Sequence, residues 1–458
     1  MHNNYQTKDG RARAGRVTAK KTSSRPPVVA DELEENLPRA ALPESIQLAM
    51  ADLAGTVQEG LLAFAVGTGL KVLQLLMDED VTGLAGPKGR WNPDRVAKRH
   101  GSDDGEVTLG GRRIPVRRPR VRSADGRTEV PVPTYELFSS SEVLSEPAMQ
   151  RMLAKLSCRR YRAGLEPVGS AVEATSRGTS KSSISRRFVA ATETALGELL
   201  AADLSNLELV ALMVDGVHFA DHCCLVALGI GLDGTKHPLG LVEGSTENAT
   251  VVTELLAGLR ERGLEVTRPI LVVIDGAKAL SSAVKAVFDH PVIQRCQLHK
   301  IRNVESYLPD QLASTVAKKM RAAYHDESPL RGEATLEAIA RDLERTHPGA
   351  AGSLREGLAE TLTIGSLGVP PTLARSLRST NAIESMIEIA RDHSTNVKRW
   401  RNGQMALRWC AAGMIEARKQ FRRVNGFMHL PALREALDKH VYGTVTPASY
   451  DQQDVVAA

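Results

Sequence analysis

The sequence predicts an α/β fold: a mixed sheet with flanking helices, interrupted by an all-α insertion and preceded by a mainly helical region. Three observations carry this. Between about residues 207 and 300 the chain turns into apolar runs ending in turn residues, in the order β-β-β-α-β-α-β. From there to about 370 the pattern is helical and polar. A last helical stretch opens at "STNAIES", 379–385, and runs through "IEIARDHSTNVKRWRNGQMALRWCAAGMIEARKQF". At 458 residues the chain is too long for one compact domain.

Residues 1–28 have no apolar period and read as a disordered basic tail. Residues 29–133 read as a helical region carrying a basic hairpin. Leu53, Val57, Leu61, Phe64, Leu70, Leu73 and Met77 recur at roughly helical spacing, and "LAGPKGRWNPDR" breaks the run. "EVTLGGRRIPVRRPRVR", 106–122, alternates apolar and basic residues around Gly-Gly, as a hairpin with one arginine-rich face does. Pro115 and Pro119 would confine its second strand to an edge. Such a ribbon suits a DNA backbone, or equally an edge strand protected by charge.

Residues 134–204 read as helical and helix-turn-helix-like. In "VEATSRGTSKSSISRRFVAATETAL", 172–196, a short helix and a turn at Gly178 precede a second helix. Ile184, Phe188 and Val189 form its apolar side. Lys181, Ser182, Ser185 and Arg186 face a groove, with Arg187 beside them. Any two-helix hairpin with a basic face would look similar.

Residues 205–303 then supply the first part of the sheet region. "LELVALMVDGVHF" is a strand ending at Asp215-Gly216. "HCCLVALGIGLDGTKHPLGLVEG" is a hairpin about Asp233-Gly234. "NATVVTELLAGLRERGL" is an amphipathic helix with Asn248 as candidate cap, "RPILVVIDGAKAL" a buried strand ending at Asp275-Gly276, and "PVIQRCQLH" a final short strand. The helical insertion spans 304–372, the rest of the core 373–432, and a tail 433–458.

The formal charge of +5 is unevenly spread. Residues 1–27 carry seven Lys/Arg against one acid, 88–122 eleven against four, and 391–423 nine against two. One such block is commonly a solvated face; three favour a polyanion such as DNA, bound through phosphate neutralisation. Five scattered cysteines argue for a reducing compartment without a disulfide framework. No apolar run approaches a membrane span, and "MHNNYQTKDG" does not read as the start of a signal peptide.

The chemistry concentrates where "LMVDG" and "LVVIDG" each deliver an Asp at the carboxyl end of an apolar strand. That is where ligands gather in α/β folds, although Asp-Gly also simply opens turns. Two adjacent carboxylates repel unless a cation neutralises them; Mg²⁺, which takes one or two carboxylates plus phosphate oxygens, fits. With Asp on the first and fourth strands, this strand order is the layout of a ribonuclease H-like nucleotidyl-transfer core. Such a core needs a third carboxylate from a later helix. Glu384 can be that group, or the capping-box partner of an N-cap at Asn381.

At this point the sequence resembles the mutator-type transposases of bacterial insertion sequences. "VDGVH" at 214–218, "VIDGAKAL" at 273–280, "QRCQLHKIRN" at 294–303, "STNAIES" at 379–385 and "NVKRWRNGQMALRWCAAGMIEA" at 396–417 carry the resemblance, which covers roughly 130–430. It implies a DNA transposase with Asp215, Asp275 and Glu384 as catalytic, metal-binding triad. It further implies two Mg²⁺ ions (Mn²⁺ able to substitute), double-stranded DNA as partner, a homodimer on DNA, and a cytoplasmic, nucleoid-associated location.

The family's Cys-x-x-His motif falls on Cys296 and His299. It is half a zinc pattern, but no second Cys/His pair follows, so no zinc site is expected and Cys296 reads as a core residue. His299, Lys300 and Arg302 are expected near DNA phosphate. Arg391, seven positions after Glu384, shares its helix face and could hold a phosphate or simply be solvated. Lys398 and Arg399 extend the DNA-binding set. Trp400 and Trp409 could stack on unpaired bases, with helix packing expected for at least one. Two other functions fit the same sequence: a structure-specific nuclease, or a sequence-specific DNA-binding regulator.

Overall fold

The computed structural model describes residues 60–90, 95–140, 144–165, 167–244 and 248–443. Chain segments 1–59 and 444–458, and with them Leu53, Val57 and the basic N-terminal tail, lie outside the described residues.

The first helix, α1 (Leu61–Ala85), buries Ala63, Val66, Leu73, Met77 and Val81 and leaves Leu61 exposed. It packs on an antiparallel ribbon, β1 (Ala97–Leu109) and β2 (Arg112–Ser123), through Val107, Ile114 and Val121. Gly110 and Gly111 make the turn at φ 57° and 74°, a region costly for residues with a Cβ. A third strand, β3 (Glu129–Val130), makes β2 the middle strand rather than an edge. The prolines are accommodated because β3 pairs only with Val121 and Arg122, beyond Pro115 and Pro119.

The arginine-rich face is largely satisfied within the protein. Arg117 pairs with Asp104, Arg118 and Arg120 with Glu129, Arg113 with Glu106, and Arg112, 2% exposed, with Glu173. Five arginines of this basic block are thus paired within the protein.

Then come α2 (Pro133–Ser139), α3 (Ser145–Leu153), α4 (Ser170–Thr175) and α5 (Lys181–Ala201). α4 and α5 are the two helices of the helix-turn-helix pattern, with Gly178 at φ 81° between them. Ser180 caps α5 by accepting the Ser183 N–H. Ser180→Ala should cost about 1 kcal/mol, seen as a lower urea midpoint with an unchanged m-value.

The second sheet comprises β4 (Leu209–Phe219), β5 (His222–Gly231), β6 (Lys236–Gly244), β7 (Ile270–Ile274) and β8 (Pro291–Arg295), in spatial order β6-β5-β4-β7-β8. β4, β5 and β6 pair antiparallel, whereas β4, β7 and β8 run parallel. The β5–β6 turn uses the Asp233 carboxylate to accept the Thr235 N–H, and Gly234 at φ 83°. Helices α6 (Ala249–Glu261), capped by Asn248, and α7 (Lys278–Val287) cover one face, burying Leu212, Val214, Val272 and Ile274.

The insertion follows as α8 (Gln297–Glu305), α9 (Asp310–Tyr324), α10 (Pro329–Glu344), α11 (Pro348–Arg355), α12 (Leu358–Thr361) and α13 (Thr363–Ser366). It has its own apolar core, from Ile301 and Val304 to Leu358 and Leu362. Polar side chains around β8 tie it to the sheet. Fully buried Gln294 donates to the Thr361 carbonyl and accepts the Ile364 N–H. Gln297 also donates to the Thr361 carbonyl, and Arg295 pairs with Glu360.

The chain returns to the other sheet face with α14 (Pro371–Leu377), α15 (Asn381–His393), α16 (Gly403–Gln420) and α17 (Leu430–Tyr442). Leu373, Ile383, Met386, Cys410 and Met414 pack there against Ala211, Met213, Val217 and Val273. Residues 433–442, expected as tail, are helix instead: Leu430, Leu433 and Leu437 are fully buried, and their 3–4 spacing is that of one helix face.

This mixed open sheet flanked by helices is consistent with a ribonuclease H-like core bearing a helical insertion. The N-terminal part is not a distinct, mainly helical unit. It contains strands of 13 and 12 residues, and Phe188 of α5 packs on Trp409 of α16 at 4.5 Å between ring centroids. Among the described residues no helix is long and apolar enough to cross a membrane.

Candidate active site

The site follows from strand register. Met213 on β4 pairs with Val273 on β7 in the parallel ladder. Two residues further along stand Asp215, inside β4, which runs on to Phe219 rather than ending at Asp215-Gly216, and Asp275, the first residue after β7. Side chains alternate faces along a strand, so both share the face of Met213 and Val273. That is the face on which α15 lies. Gly276, at φ 106°, turns the chain away, and the Asp275 carboxylate accepts the Ala277 N–H at 2.8 Å.

Glu384 comes from the first turn of α15, half-buried, with Ile383, Met386 and Ile387 seating the helix on the sheet. The helix N-cap is Thr380, not Asn381, which is already the first helical residue. Glu384 is therefore four residues past the cap, and its Oε1 accepts the Thr380 hydroxyl at 2.6 Å. The capping-box contact does not compete for this carboxylate.

Cys296 and His299 enter from the end of β8. The Cys296 N–H donates to the Ile274 carbonyl at 2.7 Å, placing this thiol beside the strand end that carries Asp275. Cys296 is fully buried and caps α8, whose first turn presents His299. One potential ligand atom each from Cys296, His299 and Glu384 lie within 4.8 Å of one another. The sequence reading of Cys296 as buried core holds. The company of Glu384 was not legible, because spacing arguments look for Cys and His alone.

Charge is concentrated here. Burial pushes the Asp215 carboxyl up to about 6; the Gly216 N–H opposes this, while Asp275 and Glu384 add to it and His299 offsets it. His299 is raised to about 9, first by its hydrogen bond with Cys296, against burial, then by the charges of Cys296, Glu384 and Asp215. Burial would raise the Cys296 thiol, but hydrogen bonds from His299 and Thr380 outweigh it and lower the thiol below its ordinary range. A buried carboxylate held against two others is the environment a hard divalent cation relieves, and the oxygen donors of Asp215, Asp275 and Glu384 fit Mg²⁺.

The other expected contacts divide. Lys181 and Arg186 are exposed at the start of α5, but Arg187 is half-buried and donates to the Gly178 carbonyl at 2.7 Å, bracing the turn. His299, Lys300 and Arg302 do not form one patch, since successive helical residues point about 100° apart. His299 faces the carboxylates and Arg302 is exposed. Lys300, 5% exposed, donates to the Ser353 and Glu356 carbonyls at 2.6 and 2.7 Å. Its ammonium is a brace for the insertion and not a DNA contact. Arg391, Lys398 and Arg399 are exposed. Both tryptophans pack: Trp400 on Phe219 at 4.9 Å and Trp409 on Phe188.

Sequence comparison bears on the family of the chain. Residues 46–424 match the family described as "Transposase, Mutator family". The transposase for insertion sequence element ISRM5 of Rhizobium meliloti (strain 1021) is 26% identical over 367 residues, 80% of this chain and 89% of that protein. The transposase for insertion sequence element IS6120 of Mycolicibacterium smegmatis is 30% identical over 242 residues, 52% of this chain and 73% of that protein. A probable transposase for an insertion sequence element of Corynebacterium diphtheriae is 30% identical over 212 residues, 46% and 61% of the two chains. With the match covering the sheet, the insertion and the helix of Glu384, this chain belongs to the Mutator family of transposases, DNA-binding proteins of DNA transposition and recombination.

Proposed function

We propose that this chain binds the terminal inverted repeats of an insertion sequence and catalyses DNA end cleavage and strand transfer, with Asp215, Asp275 and Glu384 as its catalytic triad. The observation that carries this reading is the juxtaposition of Asp215, within β4, and Asp275, at the end of the adjacent parallel strand β7, on the face covered by the helix of Glu384. A pair of Mg²⁺ ions bound by these carboxylates would activate the attacking water or 3′-hydroxyl and stabilise the leaving 3′-oxygen.

The chain's own residues do the positioning. β4 and the end of β7 hold Asp215 and Asp275 on a rigid sheet, and α15 brings Glu384 to them. His299 sets a positive charge beside the carboxylates. Arg391, on the same helix as Glu384, and Lys398 and Arg399 beyond it are placed to bind phosphates of the DNA being cut. Lys181 and Arg186 hold the inverted repeat further out, with Arg302 a further backbone contact. Pairing two element ends calls for at least two protomers, so the working form is a dimer on DNA.

The phosphate contacts have a salt signature. Lys181→Ala and Arg186→Ala should each weaken binding across DNA sequences and reduce the slope of log K against log salt by about 0.9, measured by fluorescence anisotropy. An unchanged slope removes that residue from the interface.

The activity itself is tested by incubating full-length protein and Mg²⁺ with terminal inverted-repeat DNA and a target plasmid. Joined products are the expected result. Cutting without joining would assign a nuclease, and binding without either a regulator.

A further inference from the structure

We propose that Thr380 is the positioning residue of the Glu384 carboxylate, held in turn by Cys296 and His299; the inference rests on the reading of Glu384 as a metal ligand. Thr380 is fully buried at the N-cap of α15. Its Oγ1 lies 2.6 Å from Glu384 Oε1, 3.3 Å from Cys296 Sγ and 3.4 Å from His299 Nδ1. Its own backbone N–H reaches the same sulfur at 3.5 Å.

This geometry decides between two uses of the Cys296, His299 and Glu384 cluster. A cation held by all three would need ligand distances of about 2.0 to 2.3 Å, yet a protein hydroxyl already bridges the three groups. The cluster is thus closed by hydrogen bonds. A hydroxyl has one proton to give, and the short contact to a carboxylate oxygen takes it. Toward His299 the Thr380 oxygen is then the acceptor, while toward Cys296 its backbone N–H donates to the sulfur. The chain of contacts runs from the strand end at Cys296, through the helix cap, to Oε1 of Glu384. It leaves the other oxygen, Oε2, for the metal and restrains the carboxylate's rotation.

The cap is a well-founded place for such a group. Thr380 is fixed from three sides: its carbonyl accepts the Glu384 N–H at 2.9 Å, its N–H meets Cys296, and its side chain has no solvent access. A carboxylate oriented by a group that cannot itself move is pre-organised for its ligand.

The test compares full-length wild type with Thr380→Ser, Thr380→Val, Thr380→Ala and Glu384→Gln. Mn²⁺ affinity is read from the free-ion electron paramagnetic resonance signal. Thermal midpoint and inverted-repeat binding report the fold, and half-saturating Mn²⁺ for strand transfer reports the site. Thr380→Val and Thr380→Ala should bind Mn²⁺ about 10- to 100-fold more weakly with unchanged repeat binding, and Thr380→Ser should restore affinity. Wild-type Mn²⁺ affinity in either folded hydroxyl-less variant overturns the proposal. So does a Ser variant as weak as Val. If Glu384→Gln binds Mn²⁺ and joins DNA like wild type, the triad reading itself fails. If Glu384→Gln loses both while Thr380→Val keeps both, only the role of Thr380 fails.

Discussion

Asp215→Asn is expected to lower strand transfer by at least about a thousandfold, roughly 4 kcal/mol of transition-state stabilisation, while making the metal-free protein more stable. Both effects come from one side chain. The Asp215 carboxyl titrates near 6 in the fold against an ordinary value of 3.8, chiefly because burial penalises its charge and Asp275 and Glu384 repel it. The folded state therefore binds this proton more tightly than the unfolded chain. The charge costs stability in full above about pH 6, the cost shrinks as the pH falls from 6 toward 3.8, and it vanishes below. Asn removes it, so the gain should reach up to about 3 kcal/mol at pH 7.5 and disappear at pH 3.5. Urea midpoints without metal at the two pH values measure this. Asp275→Asn and Glu384→Gln should abolish strand transfer equally and leave inverted-repeat binding largely intact. A triad variant with normal strand transfer in Mg²⁺ would falsify the assignment.

Lys300→Met is expected to destabilise the protein by about 2 to 4 kcal/mol before any DNA is added. The buried ammonium supplies two charge-assisted hydrogen bonds to the carbonyls of Ser353 and Glu356, near the end of α11. Burial and the neighbouring Arg295 already hold its pKa below the ordinary lysine range. Methionine keeps the stem's volume but leaves both carbonyls without that donor. Arg302→Ala, two residues on and exposed, should change stability by no more than about 0.5 kcal/mol. Denaturation of the DNA-free variants separates the two. A Lys300→Met protein of wild-type stability that has lost DNA binding would return Lys300 to the interface.

These two residues mark what spacing can and cannot say. Asp215 and Asp275 stand out because each closes an apolar run with Asp-Gly; Asp275 does follow the end of β7, whereas β4 runs on past Asp215 to Phe219. Lys300 stood in a run of basic and polar residues, and its sequence neighbours read as a DNA patch. Whether a lysine on a helix faces solvent or another helix depends on what packs against it, here α11, some 50 residues downstream. The same reasoning covers Arg112 and Arg113. A hairpin with an arginine-rich face is evident from alternation, but their partners Glu173 and Glu106 are chosen by the folded arrangement. Thr380 illustrates a third case. By residue type Asn381 is the better cap, yet the chain caps the helix at Thr380, whose hydroxyl touches Glu384.

The sequence by itself determined the succession of strands and helices in the sheet region, the hairpin turns and the helical insertion, and it singled out the three carboxylates proposed as the site. These rest on periodicity, glycine and proline geometry, and short motifs, all properties of adjacent residues. Only the tertiary structure decided that β4 and β7 bring Asp215 and Asp275 level, that α15 covers their face, that Lys300 braces the insertion, and that Thr380, Cys296 and His299 surround Glu384. Those are contacts between residues some 60 to 170 positions apart for the site, set by register and helix packing, which no local pattern encodes.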